Sequence, residues 1–353
     1  MEAASVAARP PSSVWTAVRN FLGKWGLIIV LLIMPVAFGI HDLTTDGNLV
    51  RLGNNIVAGL SNGSIWALVA LGYTLVYGII ELINFAHGDL FMIGSVASYG
   101  LFGTLGITLA TGALGVVGGL LATLLIAMVL CSFLNVMIER VAYRPLRNAP
   151  KLAPLITAVG FSFILQDVGQ LWIGGSQQGV PDLIRGQMDV FTVAGIHVAR
   201  EDLLAVGVTI PLYLLLTWFV NRTRAGKAMR ATAQDPEAAR LMGINVDSTI
   251  SLTFLLGGLL AGAGGLIYAL YQTNVWYFQG FRAGLIAFTA AVMGGIGNIR
   301  GAVLGGLIIG CIQQLSDSRL GPQWTPAVVF GYLILVMVLQ PRGLLGEETR
   351  EAG

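Results

Sequence analysis

Charge is what this sequence has least of. Lysine, arginine, aspartate and glutamate together make up 11% of its 353 residues, against roughly 25% in an ordinary soluble domain. So few ionic groups cannot coat a water-facing surface, which excludes a soluble globular fold. Cysteine is nearly absent too. Cys131 and Cys311 both lie in apolar runs, so they read as packing residues and not as a disulfide framework or a thiolate metal site. Neither H-E-x-x-H nor Cys/His zinc spacing occurs, and the GKA at Gly226–Ala228 lacks the leading glycine and the Ser/Thr of a phosphate loop. GLSNG at Gly59–Gly63 fits G-x-S-x-G only as letters, because it sits in an apolar helix and not at a strand–turn–helix elbow. No catalytic residue and no metal ligand is expected, and the chain reads as a non-enzyme.

What the chain does have is apolar length. Hydrophobic residues make up 55%, with a mean hydropathy of +0.78. Crossing a bilayer takes about 20 mainly apolar residues, fewer where protein surrounds the segment. Runs at 25–40, 54–80, 87–104, 108–138, 152–174, 203–221, 248–271, 284–296, 302–315 and 325–340 meet that description. The expected fold is therefore all-α, a polytopic membrane helix bundle of about ten transmembrane helices with one or two short or interrupted. The 108–138 run is over-long, so it is tilted or broken at its glycines. The first run, from Trp25, follows a polar start and ends without a small-residue cleavage site, which predicts a retained helix.

Basic residues orient the bundle. With the N-terminus inside, the inward segments hold fifteen of the twenty Lys/Arg, leaving Arg51, Arg185, Arg200, Arg282 and Arg319 outside. The positive-inside rule then places both termini in the cytoplasm. The longest outer loop, 175–202, alternates around Met188–Val193, which predicts a short hairpin lying on the membrane. Glycine is abundant at 47 residues, with small-xxx-small pairs at Gly59/Gly63, Gly115/Gly119, Gly258/Gly262, Gly301/Gly305 and Gly306/Gly310. Such pairs let helix backbones approach closely in lipid, either within one bundle or against a second subunit.

Three stretches point to function. ELINFAHGDLFMIG (81–94) gathers Glu81, Asn84, His87 and Asp89 inside apolar sequence. On one reading it is a cytoplasmic turn, with Asn84 capping the next helix and Asp89 in its first turn. On the other, the helix breaks within the membrane and His87 and Asp89 border a solute pathway. VMGGIGNIRG (292–301) is the second interruption, where Gly294, Gly295 and Asn298 either line a cavity or form a plain turn. LVYGIIELINFAHGDLFMIGSV (75–96) is faintly echoed by LIYALYQTNVWYFQGFRAGLIAF (266–288), in the sense an inverted repeat requires. Trp66, Trp172 and Trp276 are candidates for an apolar solute path or for interfacial packing. The third stretch is the charged cytoplasmic 222–248. There Asp235 is an N-cap, Pro236 opens a short helix through Met242, and Gly243 ends it.

PEAARLMG contains E-A-A-x-x-x-G at Glu237, Ala238, Ala239 and Gly243, which resembles the coupling loop of ABC-importer permeases, without the I-x-L-P tail. The phrases GLSNGSIWALVALGYTLVYGII, INFAHGDLFMIGS, ERVAYRPLR, RATAQDPEAARLMGINVD, FTAAVMGGIGNIRGAVLGG and QPRGLLG together resemble the H-type permease of high-affinity branched-chain amino acid ABC importers over about residues 50–346. Residues 1–49 then form a tail and an extra helix, and 347–353 a cytoplasmic tail. The resemblance implies an inner-membrane pore subunit without a cofactor of its own. It further implies ATP and magnesium on two cytoplasmic ATP-binding subunits, a second homologous permease, an extracytoplasmic solute-binding protein, surrounding membrane lipid, and no nucleic acid. Urea and short-amide permeases share the family. A different class, the ion-coupled secondary transporter, would need a titrating intramembrane group, and its candidates are the Glu81–Asp89 stretch and, foremost, Asp167 beside Gln166. For an importer pore, few fixed charges and no deep pocket of strong polar ligands are expected.

Overall fold

The computed structural model describes residues 25–108, 112–147, 149–150, 152–184 and 190–346. Twelve α-helices run through them: α1 Leu27–Thr45, α2 Val50–Ile80, α3 Ala86–Thr104, α4 Gly112–Ile138, α5 Leu152–Ile173, α6 Arg200–Arg222, α7 Arg224–Gln234, α8 Pro236–Leu241, α9 Val246–Gln272, α10 Gln279–Gly294, α11 Ile299–Arg319 and α12 Thr325–Leu339. Each expected apolar run lies on a helix. Seven of these helices are long and apolar enough to cross a membrane, while α3, α10 and α12 are not among them. α4 is unbroken at its glycines and continues into a π-turn at Glu139–Tyr143.

α2 and α9 form the centre and are mostly buried, whereas α1, α4 and α6 turn apolar faces outward. Glycine makes that centre close-packed. A Cβ on Gly63 would stand 2.8 Å from the Leu307 Cα, and one on Gly306 would stand 2.6 Å from the Ala67 Cα, so α2 and α11 touch backbone to backbone. Gly258 and Gly262 meet Ser132 and Ala127 of α4 in the same way, and Gly301 and Gly305 meet Gly294 and Ala290. These pairs serve packing within the bundle.

The extra helix α1 is fastened to the core by an ion pair between the buried Asp42 and Arg319, whose guanidinium lies 5.8 Å from the Phe38 ring centroid. Between the helices β1 (Gln178–Gly179) pairs with β4 (Asn274–Val275), and β2 (Phe191–Val193) with β3 (Ile196–Val198). The β2–β3 turn places Ala194 and Gly195 at φ 52° and 83°, the positive-φ pair of a two-residue hairpin. The expected hairpin thus begins at Phe191, and Met188 falls outside the described residues. It rests on the start of α2, where the His197 N–H donates to Asn54 Oδ1 at 2.8 Å.

Gly63→Val should lower the stability of the purified chain by about 2–3 kcal/mol through overpacking. Gly331→Ala, where a Cβ meets nothing within 4 Å, should leave it unchanged. Thermal unfolding in detergent compares the two.

Candidate translocation site

The stretch from Glu81 to Asp89 runs from an exposed Glu81 into the bundle. α2 ends with Glu81 in the left-handed region at φ 50°, and the chain then re-enters the bundle. Asn84 is 1% exposed, and His87 and Asp89 are fully buried. His87 packs against Gly257, eleven residues into the 27-residue α9, which is about 16 Å from its N-terminal end at 1.5 Å per residue. α3 therefore begins inside the bundle.

Asn84 does not cap it, which corrects the capping reading. Its Nδ2 donates to Asn135 Oδ1 at 3.2 Å, and Asn135 Nδ2 donates to the Phe254 carbonyl at 2.6 Å, tying the break to α4 and α9. The Tyr143 hydroxyl donates to the Ile83 carbonyl at 3.2 Å. His87 is held by shape. Its ring meets Tyr73 edge-on with centroids 4.9 Å apart, in space that Gly72 leaves open. Asp89 does lie in the first turn of α3, and its carboxylate accepts hydrogen bonds from Ser162 and from Gln166 Nε2 at 3.2 Å. Gln166, not the neighbouring Asp167, is thus the inward residue of α5; Asp167 is exposed.

A second break separates α9 from α10 and contains β4. α9 ends at Gln272, and α10 starts at Gln279 after β4. A Cβ on Gly88 would fall 2.6 Å from the Gly284 Cα, and Gly280 abuts the Asp89 backbone. The first turns of α3 and α10 therefore touch, glycine to glycine. The helix–break–helix units at 75–96 and 266–288 thus meet through the helices that follow their breaks.

Above this junction lies a cavity of about 430 Å³. Trp66 and Tyr268 line it from α2 and α9, Gln279, Arg282 and Ile286 from α10, and Gln313 and Asp317 from α11. Trp276 borders it; Trp172 is exposed on α5. The wall is far more polar than expected for a pore of this kind. Among the described residues, His87, Asp89 and Asn84 do not line it; they brace the helix starts beneath it.

Gly294, Gly295 and Asn298 lie elsewhere, at the inner end. Asn298 caps α11 by accepting from the Arg300 and Gly301 N–H groups, and its Nδ2 donates to the Leu345 carbonyl at 2.7 Å. The Leu344 and Leu345 N–H groups donate to the Met293 and Gly294 carbonyls. Gly295 has φ 103° and presses against Gly346. This turn is strapped by the C-terminal segment.

The 222–247 region folds as its signals predict. Asp235 accepts from the Glu237 and Ala238 N–H groups at 2.9 Å, Pro236 opens α8, and Gly243 leaves it at φ 81°. Ala239 is buried and anchors α8, while Glu237, Ala238 and the apolar Leu241 and Met242 face outward, the last two 89% and 82% exposed. Beside it, Arg147 bonds the buried Glu139 at 2.6 Å and also Asp247, which pairs with Arg144 at 2.8 Å. Ser251 donates to Glu139 at 2.7 Å. This clamp locks the end of α4 to the start of α9, next to α8. The polar cavity residues and the clamp were missed in the sequence because their members lie far apart along the chain.

A family model for the branched-chain amino acid transport system permease component matches residues 55–338. The chain belongs to that family. Over 296 residues the permease is 42% identical to the high-affinity branched-chain amino acid transport system permease protein LivH of Escherichia coli, covering 83% of this chain and 95% of that one. It is 40% identical over 301 residues to BraD of Pseudomonas aeruginosa, covering 84% and 96%. With seven crossing-length helices, the permease is a multi-pass membrane protein.

Arg147→Ala should leave Glu139 buried without its cation and cost about 3 kcal/mol, and adding Glu139→Gln should recover part of that loss. Unfolding midpoints of the two variants in detergent decide it, and equal midpoints would argue against the clamp.

Proposed function

We infer that this chain is the pore-forming permease subunit of an ABC importer for branched-chain amino acids. The carrying observation is its likeness to LivH and BraD over nearly their whole lengths. In this reading the chain hydrolyses nothing. ATP and magnesium act on two cytoplasmic ATP-binding subunits, a second homologous permease completes the pore, and a solute-binding protein delivers cargo from outside. All ten major helices, including the short α3, α10 and α12, are assigned to the membrane domain, with both termini cytoplasmic in the inner membrane. The fifteen-to-five bias of Lys/Arg supports that orientation.

Two structural features fit the role. Two of the helices start inside the bundle after a break in the chain, irregular backbone of a kind that only protein or a water-filled cavity can satisfy within a membrane, and transporters bind solutes at such interruptions. The solute path is assigned to the cavity above them, with Asn84, His87 and Asp89 supporting it. The Gly294–Asn298 turn forms its inner end. α8 is assigned as the coupling element: Glu237 and Ala238 contact the ATPase, Ala239 anchors the helix, and Gly243 allows its tight exit. The exposed Leu241 and Met242 supply an apolar tip for a partner's groove.

Substituting Glu237 or Gly243 should cut uptake at least tenfold in proteoliposomes holding the whole importer, and should abolish the stimulation of ATPase activity by loaded binding protein. Membrane insertion should be unaffected. Normal coupled uptake by both variants would refute the assignment of α8.

A further inference from the structure

The cavity has a chemical polarity that the importer reading does not by itself require. Its α10 wall is built to meet an anion. The helix opens at Gln279 with no side-chain cap, so the partial positive charge of its N-terminus is not neutralised there. The Gln279 side chain is 8% exposed. Its Oε1 accepts from the Trp276 N–H at 3.0 Å, while its buried Nε2 has no hydrogen-bond partner. One turn on, Arg282 faces the same space from the same side of the helix. Among the described residues it forms no salt bridge, and its Nη2 donates only to the Pro322 carbonyl at 3.3 Å.

The α11 wall is built to meet a cation. Asp317 accepts from Thr325 on one oxygen, and on the other has only a 3.5 Å contact from Gln313 Nε2. No described cation pairs with it. Gln313 is itself fixed, because its Oε1 accepts from Trp66 Nε1 at 2.6 Å. Arg282 and Asp317 are tethered to the two ends of one short segment, Pro322 to Thr325, so they converge on the same mouth. Between them Trp66, Tyr268 and Ile286 supply apolar surface.

We propose that this cavity is a transient binding site for a zwitterionic α-amino acid, with Gln279, Arg282 and the start of α10 receiving the carboxylate and Asp317 the ammonium. The apolar side chain lies against Trp66, Tyr268 and Ile286. The volume of about 430 Å³ is within the range of small-molecule sites. The proposal rests on the importer reading and narrows it. An uncharged urea or amide would leave the partly buried Asp317 carboxylate without a cation, which is costly. Permease-level selection against neutral solutes follows.

The test uses the complete permease–ATPase complex in detergent without binding protein, and measures equilibrium binding of leucine, of 3-methylbutylamine and of 4-methylpentanoate. The amine lacks the carboxylate and the acid lacks the ammonium. Wild-type complex should bind leucine at least tenfold more tightly than either half-probe. Arg282→Gln should weaken leucine and the acid about tenfold and spare the amine; Asp317→Asn should weaken leucine and the amine and spare the acid. Equal binding of all three probes by wild type would overturn the site, as would variants that lose all three alike, because a merely structural role predicts that pattern. Leucine uptake by the wild-type importer in proteoliposomes is measured in parallel. If uptake is normal and probe selectivity is absent, only this inference falls; if uptake is absent, the importer reading falls and takes the inference with it.

Discussion

The contact between the first turns of α3 and α10 is the constraint on which the rest depends. Backbone that leaves a helix inside a membrane exposes N–H and C=O groups that lipid cannot satisfy. The helices that follow the two interruptions are packed first turn against first turn inside protein. Gly88, Gly280 and Gly284 make this possible, since a side chain at any of them would meet the opposing backbone or a neighbouring side chain. The Asn84–Asn135–Phe254 chain and the Asp89–Ser162–Gln166 cluster then satisfy the polar groups around the junction. The glycine-dense α2–α11 and α4–α9 contacts carry the same economy outward, with backbone approach standing in for the hydrophobic drive that lipid removes.

How much of this was legible in the sequence depends on the range of the signal. α8 was readable because its determinants are local: an Asp–Pro start and a glycine exit within nine residues. Each apolar run marked a helix for the same reason. Depth was not readable. Hydropathy measures the length of a segment and not where it begins, so the 81–94 stretch stood equally well as a surface turn. The structure decides through contacts between residues 170 or more apart in sequence, such as His87 with Gly257. Periodicity could have separated Gln166 from Asp167, since Ser162 and Gln166 share a face four residues apart. The cavity escaped because its glutamines and its Asp317 are single polar letters scattered through apolar helices, each unremarkable alone.

The contacts around α8 join a short helix to a deep bundle. α8 is attached through Ala239 on one side and leads through Gly243 and Asn245 directly into α9. Asp247, in the first turn of α9, is held by Arg144 and Arg147, and Arg147 is held in turn by the buried Glu139. α8, α9 and α4 are thus joined by one set of contacts, and α9 carries Gly257 and Tyr268 up to the junction and the cavity.

The strap formed by Leu344 and Leu345 gives α10 a peculiar mechanical character. Its inner end is pinned by backbone hydrogen bonds and by the seating of Gly295 on Gly346, while its other end carries no cap. Wedged against α3 at its first turn and strapped at its foot, α10 spans 16 residues, or about 24 Å, as a strut held at both ends.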